Sequence, residues 1–202
     1  QGKGLKNEIA RYDGAIRFVD DQIERILEKF QNLGWLKDTL VIVAADHGEK
    51  FGEKGEFGHG AGFWEELVRV PLILSWPSRW NRGQTIQGTA EQVDLLPSLL
   101  DLLMIPHPPG IQGKSLVDSK GQFPPATGRT TSFGESENES GKQNLYATKD
   151  GWKLMIDTNG TKTLLNLRDD PNERTNLYGL QPKTRELENY LRQRSTELQN
   201  TR

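Results

Sequence analysis

The chain has 202 residues, the size of one domain or slightly more. Hydrophobic residues make up 34% and charged residues 27%, in short separated apolar runs, so the composition is that of a globular protein and no run is long enough to span a membrane. The 26 basic and 28 acidic side chains nearly cancel and form no basic stripe, which argues against a nucleic-acid partner.

The first predicted element is an amphipathic helix from Ile9 to Leu33, because its apolar residues recur at alternating steps of three and four. Gly34 suits the left-handed turn that ends many helices, and Trp35 can then fold back over the last turn. A strand is predicted directly afterwards, from Thr39 to Ala45, since this run is continuously apolar and rich in β-branched residues. Such a run is typical of a strand buried on both faces of a parallel sheet.

A second strand is predicted from Leu67 to Trp76, with Pro71 near a sheet edge or at the start of the strand. The segment from Gln92 to Leu103 has apolar residues at helical spacing, with Asp94 placed to cap the helix and Pro97 in its first turn. The order of helix, strand, loop, strand and helix predicts an α/β layered domain rather than a helical bundle or a β-sandwich.

The composition changes after Leu116, and residues 119–142 contain few large apolar side chains, so we interpret this stretch as a boundary. Short strand-like runs follow, and the pairs Asp150-Gly151 and Asn159-Gly160 between them favour tight hairpins. A small antiparallel sheet is therefore predicted, with strands at 144–148, 153–157 and 163–167. The tail from Pro182 to Leu198 is predicted to form a closing helix. The predicted domains are residues 1–118 and 119–202.

The densest group of polar side chains follows the strand predicted at 39–45. Asp46, His47 and Glu49 come directly after it, and His59 stands between two glycines further along the same loop. Ligands in open α/β sheets bind beyond the carboxyl ends of strands. A carboxylate oxygen and an imidazole nitrogen on successive residues suit a divalent cation, and Gly48 lets the backbone turn so that both converge. In the alternative interpretation, Asp46 caps the next segment and the histidines are ordinary surface residues.

Several short motifs lie in a fixed order along nearly the whole chain. They are Asp46-His47-Gly48-Glu49, Gly58-His59-Gly60, Arg69-Val70-Pro71, the segment 93–100, Gly113-Lys114-Ser115-Leu116, Gly151-Trp152-Lys153-Leu154 and the segment 169–173. Together they resemble the C-terminal portion of a sulfatase of the alkaline-phosphatase superfamily. The resemblance implies an α/β fold: part of an alkaline-phosphatase-like layered sheet with helices, followed by a small antiparallel sheet and helix.

The resemblance also implies roles for three loop residues. Asp46 and His47 would be two ligands of the active-site metal, and His59 would replace a basic side chain that contacts the sulfate. The metal would be Ca²⁺ by family frequency, while the nitrogen of His47 makes Mn²⁺ or Zn²⁺ an alternative, because calcium prefers oxygen ligands. The substrate would be a small-molecule or glycan sulfate ester, and the compartment periplasmic, secreted or lysosomal.

The chain departs from the family pattern at the nucleophile. Sulfatases use a formylglycine made from a cysteine, or sometimes a serine, in an N-terminal motif, and this chain has no cysteine and no such motif. We therefore expect a fragment of a sulfuric ester hydrolase that lacks the N-terminal nucleophile half, forms one wall of the active site and is inactive alone.

Two other functions remain open at this point. One is a phosphonate or phosphodiester hydrolase, or a phosphoethanolamine transferase, of the same superfamily; a threonine nucleophile would favour phosphoryl transfer. The other is a non-catalytic module whose C-terminal sheet binds a glycan or a protein partner.

Overall fold

The computed structural model describes residues 2–60, 62–80, 83–137 and 141–199. The chain forms two compact units, one ending at Gly83 and one beginning at Gln84. Within the described residues, no helix is long and apolar enough to cross a membrane. The domain boundary predicted after residue 118 stays a prediction.

The first unit begins with helix α1, Gly2–Asn32, which confirms the predicted helix and extends it at its start. Gly34 adopts a left-handed φ of 73°, and the Trp35 N–H donates to the Phe30 carbonyl at 2.9 Å. The two aromatic rings meet edge-on with centroids 5.8 Å apart, so the chain folds back over the last helical turn as predicted.

Short antiparallel ladders follow α1 in this unit. Strand β1, Val41–Ala44, pairs with strand β4, Leu72–Ser75. Strand β2, Lys50–Phe51, pairs with strand β3, Phe57–Gly58, as a small hairpin. One helical turn, α2, Glu65–Val68, lies between β3 and β4 along the chain. The segment after β1 therefore leads through the hairpin and α2 to β4, the strand that pairs with β1.

Two predictions about this unit are wrong. The strand predicted as part of a parallel sheet pairs with β4 in the antiparallel sense, because the connection between them contains a hairpin and one helical turn instead of a long crossover helix. The second strand is also shorter than predicted, since Leu67 lies in α2 with its side chain buried. Pro71 stands immediately before β4, as predicted for a strand start.

The second unit is organised around a four-stranded antiparallel sheet with the strand order β5, β6, β7, β8. The strand bounds are Thr131–Glu137, Gln143–Lys149, Trp152–Ile156 and Lys162–Asn166. The predicted sheet is therefore confirmed, and Gly151 and Gly160 have the left-handed φ values, 84° and 82°, that its tight turns require.

Strand β5 is the part of this sheet that the sequence did not indicate. It lies within the stretch 119–142 that we interpreted as a boundary, of which residues 138–140 are outside the described residues. Phe133 is its one large apolar side chain, so the apolar pattern of a strand is missing. Its conformation is instead fixed by seven register pairs with β6.

Two helices complete the second unit. Helix α3, Leu95–Leu102, carries the buried Pro97 in its first turn, as predicted. Asp94 does not cap α3 with its side chain; it ends the preceding 3-10 turn, Gln92–Asp94, and its carboxylate accepts the N–H of that turn's N-cap residue, Glu91, at 2.8 Å. Helix α4, Lys183–Gln199, confirms the predicted closing helix. The core between α4 and the sheet is formed by Ala147, Leu154, Leu164, Leu187 and Leu191.

Candidate functional site

The loop after β1 holds the candidate site, and the backbone of α2 fastens it in place. The Gly48 N–H donates to the Leu67 carbonyl at 2.8 Å. A Cβ atom added to Gly48 would lie 1.9 Å from the Glu66 carbonyl oxygen, far inside contact distance. Glycine is therefore required here, because any side chain would push the loop away from α2.

Asp46 and His47 lie side by side at this turn. Asp46 Oδ1 accepts the His47 backbone N–H at 2.9 Å, and Asp46 Oδ2 lies 3.7 Å from His47 Nε2. Both side chains are open to solvent, with 88% of the Asp46 and 46% of the His47 side chain exposed. The backbone N–H of His47, together with the His47 ring, holds the pKa of Asp46 below its usual value, which favours the carboxylate form that binds cations.

The His47 ring presents one defined nitrogen to Asp46. His47 Nδ1 lies 2.9 Å from the Gly48 carbonyl oxygen, which can only accept, so Nδ1 carries the hydrogen and Nε2 keeps its lone pair in the neutral ring. A cation about 2.0–2.2 Å from each ligand, as for zinc, or about 2.3–2.6 Å, as for calcium, could contact both atoms. The 3.7 Å between Asp46 Oδ2 and His47 Nε2 is less than the sum of two such bond lengths, so the two atoms are close enough to share one cation.

His59 reaches this loop through the hairpin of β2 and β3. Lys50 pairs with Gly58 at its end, so the residues just outside that pair, Glu49 and His59, return to the same place. The His59 ring stacks on the His47 ring with centroids 4.5 Å apart and an interplanar angle of 28°. His59 Nδ1 lies 3.2 Å from Glu49 Oε2. The structure thus brings together Asp46, His47 and His59.

Glu49 is the residue of this site for which the sequence pattern indicated no specific role. Its contact with His59 depends on a hairpin with only two residue pairs, which is too short to show an alternating apolar pattern. The available signal was the glycines between the two residues, of which Gly52 and Gly55 adopt left-handed φ values of 98° and 76°. Glycines at that spacing favour a turn, and a turn would have placed Glu49 opposite His59.

Asp46 and His47 alone are too few ligands for a complete metal site. In the described part of the chain, no group of three or more histidine, aspartate or glutamate side chains is arranged to hold a metal ion. The remaining histidine, His107, lies in the second unit, where its Nε2 is 2.9 Å from Asp101 Oδ1. Asp46 and His47 would therefore need further ligands to bind a cation tightly.

Known proteins resemble both the sequence and the fold. The family model described as Sulfatase matches residues 2–105. An arylsulfatase of Clostridium perfringens is 30% identical over 87% of this chain and 37% of its own length. A protein solved in complex with its substrate, D-glucosamine-2-N,6-O-disulfate, is 26% identical with a TM-score of 0.73, over 91% of this chain and 38% of the other.

The fold is also shared with a phosphonate monoester hydrolase of Agrobacterium radiobacter, which is 24% identical with a TM-score of 0.74, over 91% of this chain and 40% of the other. The chain spans 37–40% of the length of these three proteins.

Proposed function

The chain belongs to the sulfatase family, and from this premise we propose that it forms one wall of the active site of a metal-dependent sulfuric ester hydrolase. The observation that carries the proposal is the convergence of three side chains on the loop after β1. Asp46 Oδ2 lies 3.7 Å from His47 Nε2, and the His47 ring stacks on the His59 ring at 4.5 Å. These are an anionic oxygen, a nitrogen lone pair and a second imidazole, all open to solvent.

In this proposal Asp46 and His47 hold the divalent cation through Oδ2 and Nε2. The donor set fits a cation, because the bond from His47 Nδ1 to the Gly48 carbonyl leaves Nε2 available. A bound divalent cation offsets negative charge on the ester oxygens. Calcium is the expected ion from the family resemblance, and the nitrogen ligand makes manganese or zinc the alternatives. Further ligands come from other parts of the whole protein.

His59 is proposed to contact the sulfate group. Its side chain is 62% exposed, and Glu49 occupies its Nδ1. With Nδ1 donating to Glu49, Nε2 can donate a hydrogen bond to a sulfate oxygen or to the leaving oxygen when the ring is protonated and carries a hydrogen on both nitrogens. A hydrogen bond placed where charge develops lowers the barrier more than the same bond in water does.

The proposed substrate is a sulfated glycan or another sulfate ester. The structural relative with a bound substrate holds D-glucosamine-2-N,6-O-disulfate, and the Clostridium perfringens relative is an arylsulfatase. The 202 residues contain no cysteine, so a formylglycine made from cysteine would lie in another segment of the whole protein.

The 202-residue chain alone should not hydrolyse 4-nitrophenyl sulfate, because it holds one wall of the site and no cysteine-derived nucleophile. The whole protein should hydrolyse this ester and lose the activity when the metal is chelated with EDTA. Release of 4-nitrophenol measures both reactions. Turnover by the isolated chain that EDTA abolishes would contradict this division of the active site.

Phosphonate ester hydrolysis is the second candidate function, favoured by the TM-score of 0.74 to a phosphonate monoester hydrolase. The two functions are separated by comparing kcat/KM of the whole protein for 4-nitrophenyl sulfate and for 4-nitrophenyl phenylphosphonate. We expect the sulfate ester to be the better substrate. A higher kcat/KM for the phosphonate would assign the protein to phosphoryl transfer.

A further inference from the structure

We propose that Glu49 is a positioning residue that holds Nδ1 of His59 and so directs Nε2 of the same ring toward the sulfate ester; the catalytic part of this inference rests on the role of His59 proposed above. Glu49 would act through His59 and would not touch the substrate itself. The inference is carried by the contact between the two side chains, by the backbone that places them and by the ring on the other side of His59.

The contact is directional. His59 Nδ1 lies 3.2 Å from Glu49 Oε2, within hydrogen-bond range. A carboxylate accepts and does not donate, so the hydrogen of this bond stands on Nδ1. Among the described residues, no hydrogen bond is formed by His59 Nε2. The ring is thus held by one nitrogen and open at the other, as when a carboxylate orients a functional histidine.

The backbone places the carboxylate beside the ring. Glu49 precedes β2 and His59 follows β3, one residue outside the ladder pair of Lys50 and Gly58. Gly58 has a left-handed φ of 80°, and a Cβ atom on it would lie 3.5 Å from Glu49 Oε1. The left-handed φ favours glycine at this turn, and the turn brings the chain within van der Waals distance of the carboxylate.

His59 is held from a second direction by His47. The two rings stack with centroids 4.5 Å apart, while Glu49 meets the His59 ring at Nδ1. The Glu49 side chain is 25% exposed and the His59 side chain is 62% exposed, so Glu49 is more buried than the ring it holds. A free surface ion pair would be exposed on both sides and would fix neither partner.

The first test is the tautomer of His59 in the 202-residue chain, read from the ¹⁵N chemical shifts of labelled histidine at pH 9, where imidazole side chains are neutral. We expect His59 to carry its hydrogen on Nδ1. In Glu49→Leu this preference should be lost, because the acceptor is gone. In Glu49→Gln it should persist, because the amide oxygen still accepts. A His59 tautomer unchanged in Glu49→Leu would overturn the proposal.

Glu53→Leu is the matched control. Glu53 lies in the same hairpin, where its carboxylate accepts the Phe51 N–H at 2.5 Å and bonds to no histidine. Its removal should leave the His59 tautomer unchanged. An equal change in Glu53→Leu and Glu49→Leu would mean that the hairpin as a whole, and not Glu49, sets the ring.

The second test is catalytic and uses the whole protein. Loss of a residue that orients a functional side chain typically costs about 10–100-fold, so Glu49→Leu should lower kcat for 4-nitrophenyl sulfate by that factor with a smaller change in KM. Glu49→Gln should recover most of the loss. An unchanged kcat in Glu49→Leu would refute the positioning role, whereas failure of the proposed function itself would appear in the wild-type protein as no sulfate turnover.

Discussion

Glu173→Ala should lower the free energy of unfolding of the second unit by about 3–5 kcal/mol, because it removes one partner of a buried ion pair and leaves the other charge in the core. Lys153 Nζ lies 2.9 Å from Glu173 Oε1, and both side chains are 0% exposed. Lys153 stands on β7, next to the core residue Leu154. An ammonium group at this position cannot reach water without disrupting the sheet.

Urea unfolding followed by the amide signals of Leu154 and Leu164 measures this loss in the second unit alone. The double variant Lys153→Met, Glu173→Leu should recover part of it, since apolar pairs often replace buried ion pairs at little cost. Glu197→Ala is the control within the same unit: it breaks the exposed pair of Glu197 and Arg194, whose side chains are 46% and 38% exposed, and should cost far less than Glu173→Ala. A loss in Glu173→Ala no larger than in this control would show that the pair is not held in the core.

Gly48→Ala should move the loop after β1 and weaken the proposed cation binding by the isolated chain at least tenfold. The added Cβ would lie 1.9 Å from the Glu66 carbonyl oxygen, where no rotamer change can relieve the contact. The loop must then shift away from α2, which breaks the bond from the Gly48 N–H to the Leu67 carbonyl. Such overpacking costs about 1–3 kcal/mol, and it displaces Asp46 and His47 together.

Gly60→Ala is the matched control for this prediction. Gly60 lies in the same loop region, and nothing stands within 4 Å of a Cβ atom built on it. Its replacement should leave both the stability and the cation binding of the chain unchanged. Manganese titration of the two variants, monitored by broadening of the His47 NMR signals, compares them directly. Equal binding by Gly48→Ala and the wild-type chain would show that the close approach to α2 does not shape the site.

Local patterns predicted the elements whose structure is set locally. The apolar stripe from Ile9 to Leu33 sufficed for α1, and the Asp-Gly and Asn-Gly pairs sufficed for the hairpins of the second unit. Strand β5 escaped prediction because its conformation depends on β6. A Cβ atom on Gly134 would lie 2.2 Å from the Tyr146 ring, so even its composition reflects a contact with a residue distant in sequence. The direction of β1 likewise depends on where β4 returns, which no local run encodes.

The candidate site was predictable to the extent that its residues are adjacent. Asp46 and His47 follow one another directly after a strand, so their common location needed no knowledge of the fold. His59 returns to them through a ladder of two residue pairs, and its partner Glu49 is defined only by that ladder. The requirement for glycine at position 48 depends on the Glu66 carbonyl, eighteen residues later in the chain.

The central claim, that Asp46 and His47 bind a divalent cation beside His59, is tested most directly by titrating the histidine-labelled 202-residue chain with Mn²⁺ and following the broadening of its NMR signals. We predict that His47 and His59 broaden at lower Mn²⁺ concentrations than His107, whose Nε2 lies 2.9 Å from Asp101. Asp46→Ala should remove this preference without changing the other signals of the chain. Equal broadening of all three histidines, or a preference that survives in Asp46→Ala, would contradict the claim and favour a non-catalytic module.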